Sequence, residues 1–238
     1  VDPACGSGHF LLAAGRRLAV AVARLRAGGT PSKDEYQAAL RQVVGRCLYG
    51  VDLNPMAVEL CKVALWMEAI EPGKPLSFLE AHIRQGNALL GTTPKLMDGG
   101  IPDAAFEVLE GDDKDVAKRL KKRNKDERKG QTTLFSEFAK AAPMSYGRLS
   151  TGAAVVEADA DGDITAVEKK EADWDRFTES KEYTDAWLLA DAWCAAFVWP
   201  KEPKFEDAAI THDLFQRMKS DLGAMSKATR GKVRELSQ

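Results

Sequence analysis

The 238-residue chain is poor in the residues that metal and disulfide chemistry need: three histidines, at 9, 82 and 212, and four cysteines, at 5, 47, 61 and 194, with no C-x-x-C pair. That spacing supplies no zinc framework, so no metal is assigned, and it fits the reduced, mostly buried thiols of a cytoplasmic protein. Long apolar runs are also missing. The longest, Trp187 to Trp199, is interrupted by Asp191 and falls short of the roughly 20 residues that cross a bilayer, so no membrane partner is expected. Neither sign of charge dominates: 34 Lys and Arg against 36 Asp and Glu leave a formal charge of −2, and any contact with nucleic acid has to come from a local patch. The sequence opens on Val1-Asp2-Pro3 without an initiator Met, a basic n-region or an apolar h-region, a start that reads as an excerpt of a longer protein.

What is present is the composition of a folded domain. Hydrophobic residues make up 45% and charged residues 29%, which excludes collagenous and wholly disordered classes. Apolar residues at 10, 11, 14, 18, 22 and 25 carry the helical period and stop at Gly28-Gly29. Ser32 and Glu35 form a capping-box signal for a second helix. Cys47 to Val51 reads as a buried strand ending at Asp52, Asn54 and Pro55 as the cap and first position of a third helix, and Ala81 to Gln85 as a further strand. Strands alternating with helices in this way predict an α/β fold: a partial Rossmann-like sheet of about three parallel strands, followed by a mainly helical extension.

Beyond Pro94 the character changes. Residues 115 to 129 hold eight Lys or Arg against three acids, whereas 157 to 182 hold ten acids against four bases. The expected division is an α/β domain over 1–95, a charged and partly flexible insertion over 96–165, and a helical region over 166–238. Trp174, Phe177, Trp187, Leu188, Trp193 and Phe197 form one helical stretch, Ile210, Leu214, Phe215 and Met218 another, and 145–165 is expected to be mobile.

Two segments carry chemistry. In Asp2-Pro3-Ala4-Cys5-Gly6-Ser7-Gly8-His9-Phe10, two glycines at a strand end and helix start let the backbone approach a ligand, and the helix N-terminus offers N–H groups. A dinucleotide fingerprint wants a third glycine where Leu11 stands. Asp2 would repel a pyrophosphate and accept an ammonium group, which points to a zwitterionic cofactor. In Gly50-Val51-Asp52-Leu53-Asn54-Pro55, the carboxylate of Asp52 stands at a strand end, where an acid holds ribose hydroxyls; it could equally serve only to cap the next helix.

These segments resemble motifs I and II of class I S-adenosylmethionine-dependent DNA methyltransferases of the adenine-N6 type, and His82-Ile83-Arg84-Gln85-Gly86-Asn87-Ala88-Leu89 is similar to motif III. Ala190-Asp191-Ala192-Trp193-Cys194-Ala195-Ala196-Phe197 and the long gap after Asn87 look like the large restriction-modification or phage-exclusion members. The resemblance implies a cofactor site lined by Asp2, Pro3, Ala4, Gly6, Gly8, Phe10, Asp52, Leu53 and Asn87: Asp2 at the methionine end, Gly6 and Gly8 making room, Asp52 on the ribose, Leu53 on the adenine ring and Asn87 at the adenine edge. It implies S-adenosylmethionine as cofactor, double-stranded DNA as partner and methyl transfer to adenine N6.

One departure stands out. These enzymes act through an [Asn/Asp/Ser]-Pro-Pro-aromatic loop on a flipped base, and no two prolines are adjacent in this sequence; Asn54-Pro55-Met56 lacks the second proline and the aromatic. No catalytic residue is therefore assigned, the loop is expected downstream of Gln238 in a parent protein, and the chain alone is expected to bind cofactor weakly and to methylate nothing. Lys118, Arg119, Lys121, Lys122 and Arg123 are the candidates for contact with DNA, against the plainer reading of a solvated helix face. The alternative function is a non-catalytic DNA-binding or interaction module with a degenerate cofactor fold.

Overall fold

The structure is a computed structural model that describes residues 1–134, 146–158 and 162–237. The described chain runs α1 (His9–Ala27), α2 (Lys33–Cys47), β1 (Gly50–Asp52), α3 (Pro55–Glu68), β2 (Ile83–Gln85), α4 (Pro94–Asp98), α5 (Lys114–Leu134), α6 (Tyr146–Ala158), α7 (Ile164–Glu179), α8 (Lys181–Val198), α9 (His212–Ser220) and α10 (Lys227–Leu236), with three short 3-10 turns between. It divides into two compact units, Val1–Leu89 with Ser150–Thr178, and Leu90–Leu149 with Glu179–Gln238. The sequence reading put its divisions near 95 and 165.

In the first unit the local signals act as read. Ser32 accepts from the Glu35 N–H while the Glu35 carboxylate accepts from the Ser32 N–H, closing the capping box of α2. Asn54 accepts from the Met56 N–H and Pro55 takes the first helical position of α3. Gly28 ends α1 in the left-handed conformation, φ 65°. Small residues set the helix packing: Ala19, Ala23 and Ala39 are fully buried and let α1 lie close to α2 over Leu40, Val43 and Val44. Burying a leucine such as Leu65 or Leu79 completely is worth about 2 kcal/mol each, and both are fully enclosed in this core.

The sheet is smaller than expected. β1 and β2 pair in parallel, Gly50 with Ile83 through Asp52 with Gln85. The third strand is reduced to one parallel bridge between Asp2 and Gly50, made by the Asp2 N–H on Tyr49 O (2.8 Å) and the Val51 N–H on Asp2 O (2.9 Å). The chain turns at Pro3-Ala4, where the Ala4 N–H is taken by Asp2 Oδ1 (3.1 Å) and the Cys5 N–H donates to Val51 O (3.0 Å) in its place, so the regular ladder ends at Asp2. β1 also begins later than read, because α2 continues through Cys47.

The regular elements among the described residues of the second unit are helices, packed around Ile101, Phe106, Leu120, Leu189, Trp199, Ile210 and Phe215. Trp193 and Trp199 are core residues whose indole N–H groups donate to Gly100 O (3.0 Å) and Phe205 O (3.1 Å). The aromatic stretch read as one helix is two, because Ser180 breaks it and caps α8 through the Tyr183 N–H. Residues 146–158, inside the segment expected to be mobile, form α6, and 159–161 lie outside the described residues. The N-terminus of α9 lacks a side-chain cap of its own: Asn124 and Glu127 of α5 accept from the N–H groups of His212 (2.8 Å) and Asp213 (2.9 Å) instead. A buried ion pair, Lys201 with Asp112 at 3.2 Å, ties the end of α8 to the turn before α5.

Candidate functional site

All nine residues expected to line a cofactor site lie in the first unit, at the carboxyl ends of β1 and β2 and at the bridge beside them. Asp52 joins the three segments. Its Oδ2 accepts from the Gly6 N–H (2.9 Å), its Oδ1 from the Asn54 N–H (2.9 Å), and its carbonyl from the Gly86 N–H (2.9 Å). These N–H groups of Asn54 and Gly6 hold its carboxyl below the usual carboxylate range. The capping of α3 falls to Asn54, so Asp52 is not spent on that helix. A carboxylate offers about four lone-pair sites, and two remain for hydroxyl donors.

Asp2 is the second anchor. Its Oδ1 accepts from the Ala4 N–H (3.1 Å), whereas its Oδ2 is buried without a hydrogen-bond partner. A buried acceptor lacking a donor is costly, and an ammonium group placed there would satisfy it. Between the two acids, Gly6 adopts φ 53° and its missing Cβ would meet no atom within 4 Å, so the loop faces open space at this point. Gly8 is different. At φ 86° it packs inward, and a Cβ would stand 2.8 Å from Cys61 Sγ, so its bareness serves the seating of the loop on α3. Gly8 also caps α1 without a side-chain bond, leaving the first turn of that helix open to a ligand's acceptors.

The remaining candidates form the rim. Phe10 is 82% and Leu53 66% exposed, two apolar surfaces left largely open among the described residues. Pro3 and Ala4 are exposed beside Asp2. Asn87 is half-buried and its Oδ1 accepts from the Leu89 N–H (2.9 Å), which shapes the loop after β2. Cys5 and His9 do not meet as a nucleophile and base. The His9 ring lies 3.0 Å from Ser7 Oγ, and the buried Cys5 thiol contacts Cys61. Burial, with Cys5 and the nearby acids adding to it, pushes the Cys61 thiol up to about 12, so it stays protonated. Cys61 is the contributor that the sequence pattern did not reveal; a cysteine on an apolar helix face has no local signal that a loop glycine 53 positions earlier rests on it.

The basic candidates lie on α5, in the second unit. Arg119 is held bidentately by Glu206 (2.7 and 2.6 Å), Arg123 by Glu127 (2.9 Å), and Lys121 lies 3.9 Å from Glu107. Lys118 and Lys122 are exposed. Among the described residues there is no group of three or more His, Cys, Asp or Glu able to hold a metal ion, and no helix is long and apolar enough to cross a membrane.

No protein-family model matches the chain, and no solved structure matches it. Two curated proteins are similar over 100 residues, 38% of this chain: one from Methanocaldococcus jannaschii, 36% identical, whose name describes a type II restriction enzyme and methyltransferase, and one from Streptomyces coelicolor, 37% identical, named adenine-specific methyltransferase PglX. The matched stretch spans 8% of the length of each. Over that stretch the chain is similar to two proteins that are named as methyltransferases, one of them adenine-specific.

Proposed function

We propose that the first unit is the S-adenosylmethionine-binding part of a cytoplasmic DNA methyltransferase that modifies adenine N6. The observation that carries this reading is the acid pair around an open glycine: Asp52 bound to the N–H groups of Gly6 and Asn54 with capacity to spare, and Asp2 with a buried oxygen lacking a donor. The two ends match a cofactor that is a zwitterion at one end and a ribose diol at the other. When bound, S-adenosylmethionine supplies an activated methyl group. The chain's own residues bind and orient. Asp2 Oδ2 would take the ammonium, Asp52 the ribose hydroxyls, and the exposed faces of Phe10 and Leu53 would cover apolar and aromatic surface, with Asn87 at the edge beside them.

None of the 238 residues forms an Asn-Pro-Pro-aromatic loop, so this reading assigns the chain no acceptor for the target amine. The chain alone is expected to bind cofactor weakly and not to methylate DNA. Ultraviolet cross-linking with methyl-tritiated S-adenosylmethionine tests the reading. Label should enter the chain, be displaced by S-adenosylhomocysteine and not by NADH, and be lost in Asp52→Ala. Equal labelling of wild type and Asp52→Ala would remove its basis.

A further inference from the structure

Some basic residues of α5 have acidic partners within the second unit and others do not. Arg119, Arg123 and Lys121 are used internally, as described above, and Arg128 lies 3.9 Å from Asp103. The side chains of Lys114, Lys118, Lys122 and Lys125 are exposed and make no ion pair or hydrogen bond among the described residues. At 100° per residue these four fall within an arc of about 80° and rise over about 16 Å, with steps of about 6, 6 and 4.5 Å. The opposite face carries the buried Val116, Leu120 and Asn124. Asp115 and Asp126 flank the arc on one side.

We infer that Lys114, Lys118, Lys122 and Lys125 form a track for the phosphate backbone of double-stranded DNA. Charge complementarity carries the choice of occupant. About 16 Å of duplex presents on the order of ten phosphate charges at regular intervals, a linear polyanion matched by a linear row of unneutralised lysines. The same face has no exposed large apolar residue between 110 and 129. That disfavours insertion into a lipid surface, which needs an apolar face beside the basic one. It also disfavours single-stranded nucleic acid, whose binding sites supply aromatic platforms for the bases. The helix beneath the lysines is anchored: Asn124 donates to Ile101 O (3.1 Å) and Asp103 Oδ1 (2.8 Å), and Glu127 accepts from Thr211 Oγ1 (3.1 Å). An anchored helix leaves only the lysine side chains to be ordered on binding. The inference rests on the DNA part of the proposed function and identifies residues for it.

The test is the salt dependence of binding to a 20-base-pair duplex of arbitrary sequence, by fluorescence anisotropy. Four neutralised phosphates give a slope of about −3.6 in log K against log salt, or roughly a 150-fold loss between 50 and 200 mM. The variant Lys114→Gln/Lys118→Gln/Lys122→Gln/Lys125→Gln should lower the slope magnitude by about 3 to 4, with unchanged circular dichroism. A control of equal net charge, Arg17→Gln/Arg24→Gln/Lys33→Gln/Lys95→Gln, should keep it. Equal losses in both variants, no binding by the wild type, or tighter binding to phosphatidylserine vesicles than to duplex would overturn the track. Cofactor cross-linking of the lysine variant keeps the two ideas apart: it should stay at the wild-type level, and its loss in the wild type would sink the cofactor reading while leaving the slope to judge the track.

Discussion

Replacing Gly8 by alanine probes how the loop between Asp2 and α1 is seated. Two costs arise and they are separable. The first is conformational: at φ 86° a residue with a Cβ sits in the left-handed region, at about 1–2 kcal/mol. The second is steric. The new methyl would lie 2.8 Å from Cys61 Sγ and 3.5 Å from Cys61 Cα, and Cys61 is fully buried against Cys5, so relief requires the thiol to rotate or the loop to lift. Overpacking of this kind costs about 1–3 kcal/mol, giving about 2–5 kcal/mol in all. Truncating the thiol should remove only the second cost. In a Cys61→Ala background, itself destabilised by about 1 kcal/mol or more, Gly8→Ala is expected to cost only the conformational 1–2 kcal/mol. Urea denaturation of the four proteins, followed by tryptophan fluorescence and by circular dichroism, yields the coupling energy, expected at about 1–3 kcal/mol. A coupling below about 0.5 kcal/mol would refute the claim that Gly8 is bare because Cys61 occupies its space.

Two further outcomes follow from the second unit. Lys201→Met leaves the buried carboxylate of Asp112 without its cation and should cost about 3–5 kcal/mol, while Asp112→Asn/Lys201→Met, which removes both charges, should recover most of it in the same urea melts. Burial pushes the Asp112 carboxyl up, but N–H groups of Leu109 and Lys201 and the Lys201 ammonium outweigh it and hold the group low. A depressed folded value means that its stabilisation is complete above about pH 4 and fades as pH falls through the folded value, so melts at pH 3 and 7 should differ less for the double variant than for wild type. Asn124→Ala removes the cap on the His212 N–H and strands buried groups at Ile101 and Asp103. It is expected to lower stability by about 2–4 kcal/mol, and amide exchange should speed first in α9.

Local rules carried the sequence reading far in the first unit. The Ser32/Glu35 box, the Asn54-Pro55 start and the Gly28 stop each act over three or four residues, and each appears in the structure as read. The strands were legible as positions but not as lengths, since pairing depends on a partner and on where the chain turns away from it, as it does at Pro3-Ala4. The second unit was read less well for the same reason. Ser180 is a local capping signal within an apolar pattern that otherwise suggested continuity. Capping of α9 by Asn124 and Glu127, and the pairing of Lys201 with Asp112, join residues more than 80 positions apart, and no periodicity encodes them. At the candidate site, Asp2, Gly6 and Asp52 were singled out by their positions at predicted strand ends, whereas the contact of Gly8 with Cys61 and the pairing of Arg119 with Glu206 join residues far apart in sequence, which no local pattern encodes.

The central claim is that Asp2, the Gly6 loop and Asp52 receive S-adenosylmethionine. A nitrogen-15 NMR titration of the 238-residue protein tests it directly, because it detects binding as weak as about 1 mM, near −4 kcal/mol. The account predicts saturable shifts centred on the amides of Ala4, Gly6, Gly8, Leu53 and Asn87, absent in Asp52→Ala. Shifts confined to other residues, or none up to several millimolar cofactor while the protein remains folded, would contradict it.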